Sequence, residues 1–424
     1  MKKYKLGEVA TIEVSSVDKK TKEGETPISL CNFTDVYYNW AITKGMYQGF
    51  MRATANANEI SRFILRKGQV ALTKDSETRF DIGISSYIAE DFSDVILGYH
   101  CALITPDESK LDGRYLNAFL HSDMSRKYFA NNASGSGQRY ALTAQSVTDL
   151  PIWLPSLITQ KRIGQLFSAI DRKIALNRAI NHNLEAMAKL LYDYWFVQFD
   201  FPDENGKPYK SSGGKMVWNA TLKRDIPEGW HCGNLLEIAT FTNGLACQKF
   251  RPKAGERSLP VIKIREMREG FTADTEEVSF SIPDSVKIFN GDVLFSWSAS
   301  LEVILWAYGN GGLNQHIFKV TSKNDFPRSF YYFQLLDYVG VFKQMAEARK
   351  TTMGHITQDH LQQSTIAVPD NVDITHLFEE KFSPIFNQQV KLQEETQKLT
   401  KLRDELLPLL MNGQVSVNYD LSHD

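Results

Sequence analysis

The sequence predicts an α+β fold built twice over: two globular domains joined by two long helices forming an antiparallel coiled coil, a pseudo-two-fold repeat. Three observations predict it. The chain is too long for one ordinary core, a set of markers recurs in the same order in each half, and each set is followed by one long helical period. At 424 residues, 42% hydrophobic and 23% charged, with 25 Phe and 17 Tyr, the chain suits two or three domains that each bury an interior. This is the composition of a folded protein rather than a disordered one.

The markers begin with an apolar run, a glycine turn and a second run. Phe63-Ile64-Leu65, Lys67-Gly68 and Val70-Ala71-Leu72 are answered by Val286 to Phe289, Asn290-Gly291 and Val293-Leu294-Phe295. Both read as β-hairpins whose glycine supplies the turn. Strand-like runs follow at His100 to Ile104 and His316 to Val320, then a helical segment in each half. Leu142-Thr143 and Ile356-Thr357 then precede Leu154-Pro155 and Val368-Pro369, every pair 214 positions apart.

Beyond each proline the period becomes helical. Ile163, Phe167, Ile170, Ile174, Ile180, Leu184, Met187, Leu191 and Trp195 form a stripe from Gln160 to about Gln198, with one six-residue step across Asn177. Phe378, Phe382, Ile385, Leu392, Leu399, Leu402, Leu406 and Leu410 repeat it, with Pro384 and Pro408 expected to kink or delimit the helix. Helices of this length need a partner, and each stripe is the obvious partner for the other. Between them, Phe199 to Gly229 is dense in turn chemistry, including Asn205-Gly206 and Gly213-Gly214, and reads as an ordered linker.

Charge and cysteine usage exclude several classes. A net charge of -2 gives no global nucleic-acid footprint, so any DNA-binding charge must be local. Cys31, Cys101, Cys232 and Cys247 form no C-x-x-C pair and are expected to be reduced and partly buried. Lys2 and Lys3 are followed by no apolar run, and no stretch reaches the ~18 apolar residues of a membrane span, so a cytoplasmic protein is expected.

Enzyme motifs fail one by one. There is no Pro-Pro pair for an adenine methyltransferase motif, no P-loop, and Gly135-Ser136-Gly137 lacks the third glycine and the preceding strand of a dinucleotide site. Pro369-Asp370 with Glu379-Glu380-Lys381 resembles a nuclease metal site, but Glu379 and Lys381 flank Phe378 and Phe382 on an expected helix, where solvated charges are the better reading. The nine histidines show no metal-ligand spacing. No catalytic residue and no metal site are therefore assigned.

Two loops carry nucleic-acid chemistry. Ser134 to Tyr140 combines a flexible backbone with Gln138, Arg139 and Tyr140, and its counterpart contains Arg349, Lys350, Thr351, Thr352 and His355. Arginine and glutamine bond bidentately to guanine and adenine edges, while hydroxyls and lysines hold phosphates. A polar surface loop explains either one alone; the matching position in both halves favours DNA. Lys74 and Arg79, after the first turn motif, and Trp297 with Ser298, after the second, are weaker candidates. Tyr194, Trp195 and Phe196 form an aromatic cluster larger than a two-helix seam can bury, which suggests a partner surface.

Leu150-Pro151-Ile152-Trp153-Leu154-Pro155 with Thr159-Gln160-Lys161-Arg162-Ile163 resembles the start of the central region of type I restriction-modification specificity subunits, Thr159 standing where that family usually has Glu. Leu190 to Phe201, Gly206 to Gly214, Ile226 to Trp230 and Lys401 to Gly413 also resemble that family. The resemblance implies a target-recognition domain over 1–155, a central helical region over 156–200, a linker over 201–229, a second target-recognition domain over 230–370, a C-terminal helical region over 371–413 and a tail over 414–424. It further implies that each domain reads half of a split, asymmetric double-stranded DNA target. The expected partners are two methyltransferase subunits and translocating restriction subunits. S-adenosylmethionine, ATP and magnesium would then sit on those subunits and not on this chain. A single-chain endonuclease would instead show metal-dependent cleavage, and a mere coiled-coil scaffold would show no sequence-selective DNA binding in any complex.

If the helices act as a ruler, half-site spacing follows helix length. A four-residue insertion between Asn177 and Arg178 stays nearly in phase with the 3.6-residue turn and adds ~6 Å. It should lengthen the preferred spacer by about one or two base pairs and leave both half-sites unchanged. Methylome sequencing of a host carrying the variant checks this, and an unchanged spacer in a folded variant would refute the ruler.

Overall fold

The computed structural model describes residues 1–136, 139–272, 274–298, 300–348 and 356–417. The fold is α+β and divides into two compact units. One takes Met1–Ala175 and the chain from Lys398 onward, the other Leu176–Gln397.

In the first unit, Lys2–Lys5 pairs antiparallel with Pro151–Leu154 and brings the two ends of the globular part together. The main sheet runs Ala10–Val14, Cys101–Pro106, Val70–Thr73, Ser85–Ile88, Ala41–Ile42. A second sheet is made of Met51–Ala55, Thr26–Cys31 and Val95–Leu97. The second unit has the same plan. Trp230–Gly233 pairs with Ile366–Pro369, and a sheet runs Ala239–Asn243, Ile317–Ser322, Val293–Ser296, Glu302–Leu305. Its first four positions match those of the other unit's main sheet. The linker segment folds as an antiparallel hairpin, Met216–Asn219 with Arg224–Pro227.

The two expected hairpins are not there. Phe63 ends a helix, Ala57–Phe63, and the run before Gly68 does not pair with Val70–Thr73. Lys287–Ile288 pairs with Gly311–Leu313, whereas Val293–Ser296 pairs with Glu302–Leu305 and Ile317–Ser322. Gly68 and Gly291 do turn the chain at positive φ, 94° and 100°. The turn is the one glycine allows, but it carries the chain onward rather than folding it back on itself.

The first long helix is Leu157–Tyr192, extended by one wider turn at Asp193–Val197, and the second is Asp373–Met411. Pro384 does not stop it. Phe382 and Phe386 are buried on either side, and their packing offsets the ~3 kcal/mol that a mid-helix proline costs. Within the second unit the two helices pack antiparallel: Asn177 Nδ2 donates to Glu395 Oε2 at 2.8 Å, while Asn181 and Gln389 exchange side chain-to-carbonyl bonds at 3.4 Å. The six-residue gap in the apolar stripe is thus a buried polar contact at Asn177. Met187, expected on the stripe, is half-exposed, and Ala188 and Tyr192 occupy the buried face in steps of four. An insertion after Asn177 alone would slip Asn181 off Gln389, so the spacer experiment needs a matched insertion beside Glu395.

Within the first unit, Ile163 and Phe167 of the first helix share a core with Leu407, Leu410 and Met411 of the second. Beside them Trp40 stacks on His121, with ring centroids 4.4 Å apart, and the Arg403 guanidinium lies 5.4 Å from the Trp40 ring. His121 Nε2 donates to the Ser85 carbonyl at 2.8 Å. Burial pushes the imidazole down to about 3 against that bond, helped by the charges of Arg126 and Arg403. The unfolded chain takes up this proton near the ordinary value of 6.5, the folded chain only near 3. Stability is therefore full above pH 6.5 and falls as pH drops below it, by up to about 1.4 kcal/mol per pH unit. His121→Gln should flatten that fall in denaturant melts between pH 4 and 7; an unchanged pH slope would show that the unit does not hold His121 neutral.

Candidate nucleic-acid interface

The site in the first unit is set by backbone pairing. As Val70–Thr73 ends, Lys74 N–H donates to the His100 carbonyl at 3.0 Å, and Leu142 N–H donates to the Lys74 carbonyl at 2.7 Å. Asp75–Ser76 then pairs with Arg139–Ala141, which itself pairs with Ser134–Ser136. The expected reading loop is therefore a β-hairpin lying along the end of a core strand, with Gln138 outside the described residues.

This pairing gathers charge. Asp75 Oδ2 lies 3.0 Å from Lys74 Nζ, 2.6 Å from His100 Nδ1 and 3.3 Å from Arg139 Nη2. Burial works to raise the Asp75 pKa, but the hydrogen bonds from His100 and Lys74, with the charges of Lys74 and Arg139, hold it below its ordinary value. The Arg139 side chain is 62% exposed. Arg79 places its guanidinium 5.2 Å from the Tyr140 ring on the same hairpin, a geometry that fixes an otherwise loose cation. Next to the cluster a cleft of about 610 Å³ is lined by Tyr37, Tyr38, Thr78, Asp81, His100 and Arg139, among others. Tyr37 hydrogen-bonds Asp81, and burial, with that bond, pushes its hydroxyl up to about 12. Lys74, Arg79, Arg139 and Tyr140, scattered in sequence, thus meet on one face. Asp75 and His100, which hold them, were missed because neither belongs to a local motif.

The second unit repeats the frame with other side chains. Trp297 N–H donates to the His316 carbonyl at 3.3 Å, and Ile356 N–H donates to the Trp297 carbonyl at 3.0 Å. Trp297 thus stands where Lys74 does, His316 where His100 does, and Ser298 where Asp75 does. Trp297 Nε1 donates to Asn243 Oδ1 at 3.1 Å and its ring lies 5.6 Å from that of His316. Trp297 is partly exposed and Ser298 is buried. Arg349, Lys350, Thr351, Thr352 and His355 lie outside the described residues.

The family model described as type I restriction modification DNA specificity domain matches residues 1–186 and 227–401. The chain belongs to this type I specificity family. It is 23% identical over 407 residues to the HindI specificity subunit of Haemophilus influenzae, covering 83% of this chain and 87% of that one. It is 23% identical over 433 residues to the MjaIX specificity subunit of Methanocaldococcus jannaschii, covering 98% and 93%. Its fold is similar to that of the type I S subunit from M. genitalium, with a TM-score of 0.59 at 12% identity, covering 96% and 95%. As a specificity subunit it is the DNA-recognising, non-catalytic part of a type I restriction-modification enzyme. Glu379, the acid of the nuclease-like pattern, sits on the second long helix, accepts from Ser329 N–H and pairs with Arg328. No helix among the described residues is long and apolar enough to cross a membrane.

The aromatic cluster needs correction. Trp195 and Phe196 are not a surface patch. They lie in the core of the second unit with Phe378, and Phe196 also meets Phe330. The estimate from a two-helix seam left out the helix Arg328–Ala348, which supplies Phe330 and Phe333. Only Tyr194, 37% exposed, faces outward. Trp195→Ala should therefore destabilise the second unit by about 3–5 kcal/mol, read in denaturant melts; a loss under 1 kcal/mol would contradict this packing.

Proposed function

We propose that this specificity subunit reads a bipartite, asymmetric double-stranded DNA target, one half-site per recognition domain. It thereby directs adenine methylation and restriction by partner subunits. Two methyltransferase subunits carrying S-adenosylmethionine, and translocating restriction subunits using ATP and magnesium, are the proposed partners, with no cofactor on this chain. Family membership supports the DNA role. The observation that carries the reading to residues is the hairpin at Arg139–Ala141, where an exposed guanidinium and the Arg79–Tyr140 pair meet on one edge.

In this reading Lys74, Arg79, Gln138, Arg139 and Tyr140 meet the first half-site, and Arg349, Lys350, Thr351, Thr352 and His355 the second. Tyr194 is the remaining candidate for a methyltransferase contact. Binding of the assembled methyltransferase complex to its target and to random duplex, at several salt concentrations, tests the assignment. Alanine at Gln138 or Arg139 should cost about 1–3 kcal/mol of discrimination and relax the first half-site alone. Lys350→Ala should weaken binding to all sequences and flatten the salt dependence. Equal effects of the Arg139 change on target and random duplex would show that the hairpin only positions the protein.

A further inference from the structure

Asp75 is an odd residue to find at a DNA-facing edge. A carboxylate there repels phosphate, and its side chain is only 11% exposed. It spends that unfavourable charge on the three contacts already described, from Lys74, His100 and Arg139, all to one oxygen. Lys74 and His100 are themselves largely covered, at 19% and 22% side-chain exposure, so of the three donors only Arg139 reaches well into solvent.

An arginine as exposed as Arg139 would ordinarily sample many rotamers, and fixing it costs side-chain entropy. Asp75 Oδ2 accepts from Nη2 at 3.3 Å, and His100 Nδ1, whose own proton goes to Asp75, lies 3.1 Å from the same nitrogen. The bond to Asp75 takes one of the two Nη2 hydrogens; the other, with Nη1 or Nε beside it, makes no hydrogen bond to any other described residue, so one two-donor edge stays open. A guanidinium held at one corner presents a fixed planar fork. Guanine offers two acceptors, O6 and N7, on its major-groove edge; adenine offers one acceptor and one donor, and cytosine a donor. The neighbouring carboxylate also lowers the attraction of Arg139 for phosphate, a contact that would be blind to sequence.

We propose, resting on the reading of this hairpin as a DNA contact, that Asp75 is a positioning residue that presents the Arg139 fork to a guanine in the first half-site. The second unit lacks the device, since Ser298 stands at the position equivalent to Asp75. Its half-site is therefore read by other chemistry, and changes at Asp75 act on one half of the target only.

The test uses the chain assembled with its methyltransferase partner, and duplexes in which each base pair of the methylome-defined target is replaced in turn. Wild type should discriminate at one G·C pair of the first half-site by roughly 5- to 150-fold. Arg139→Lys keeps the charge and loses the fork. It should erase discrimination at that pair while keeping the salt slope. Asp75→Asn should relax the same pair at least 5-fold, leave the second half-site unchanged, and bind random duplex as tightly as wild type or tighter. A merely structural role for Asp75 would weaken every duplex alike. If Arg139→Lys relaxes the pair and Asp75→Asn does not, the positioning role is wrong and the hairpin reading stands. If Arg139→Ala weakens all duplexes evenly, Arg139 is a phosphate contact and the guanine assignment falls. If Arg139→Ala changes nothing, the hairpin reading itself fails. Should Asp75→Asn fail to fold in a thermal melt, Asp75→Glu decides, because moving the carboxylate by one methylene should still weaken discrimination at that pair; full wild-type discrimination would overturn the proposal.

Discussion

The structure depends on burying the apolar stripes of two helices far too long to be stable alone. A 36-residue helix and a 39-residue helix present rows of Ile, Leu and Phe that water would leave unfavourably exposed, each side chain contributing about 1.5–3 kcal/mol when covered. Each helix serves two cores. Ile163 and Phe167 belong to the first unit's core, Tyr192 to the second's; Phe378 and Phe382 belong to the second, Leu407 and Leu410 to the first. The first unit is therefore not a continuous stretch of chain, whereas the second, Leu176–Gln397, is. The first closes its core with residues that follow the whole of the second in sequence, and its His121–Trp40–Arg403 stack is completed by the second helix.

Burial alone does not fix how such helices slide along one another, because Leu and Phe pack almost as well one turn out of step. Polar contacts in the seam remove that freedom. The amide N–H groups of Asn177 and Asn181 find Glu395 and the Gln389 carbonyl in one register only, although the Oδ1 atoms of both asparagines stay without a partner; a slip would leave those donors unpaired as well, at ~1–3 kcal/mol for one that is buried. A single polar residue at a helix seam specifies register in the same way in coiled coils. The interruption at Asn177, which looks like a flaw in the stripe, is its alignment mark.

How far the sequence could be read follows from the range of each interaction. The long helices and the repeated order of markers were legible, since a 3.6-residue period and a recurring marker are properties of short windows. The glycine turns were legible as turns, but whether Gly68 folds a strand back or passes the chain to another sheet depends on partners tens of residues away. Trp195 and Phe196 were placed outside because the partners that bury them, Phe330 and Phe378, are distant in sequence. Asp75 is adjacent to Lys74 but 25 positions from His100 and 64 from Arg139; only strand pairing joins them. Placing Asp75 opposite Ser298 in the repeat would have singled it out as a difference between halves in a shared frame.

That frame explains why the two halves share an order of markers and so little chemistry. The bonds that set this edge in both units run between backbone groups: Lys74 to His100 and Leu142 in one, Trp297 to His316 and Ile356 in the other. Main-chain pairing accepts almost any side chain, so the edge keeps its position whether it carries a lysine beside an aspartate or a tryptophan beside a serine. Side chains can change along the edge of one unit without disturbing the core beneath them. A subunit that performs no chemistry itself can thus keep a scaffold that does not depend on which side chains stand along this edge.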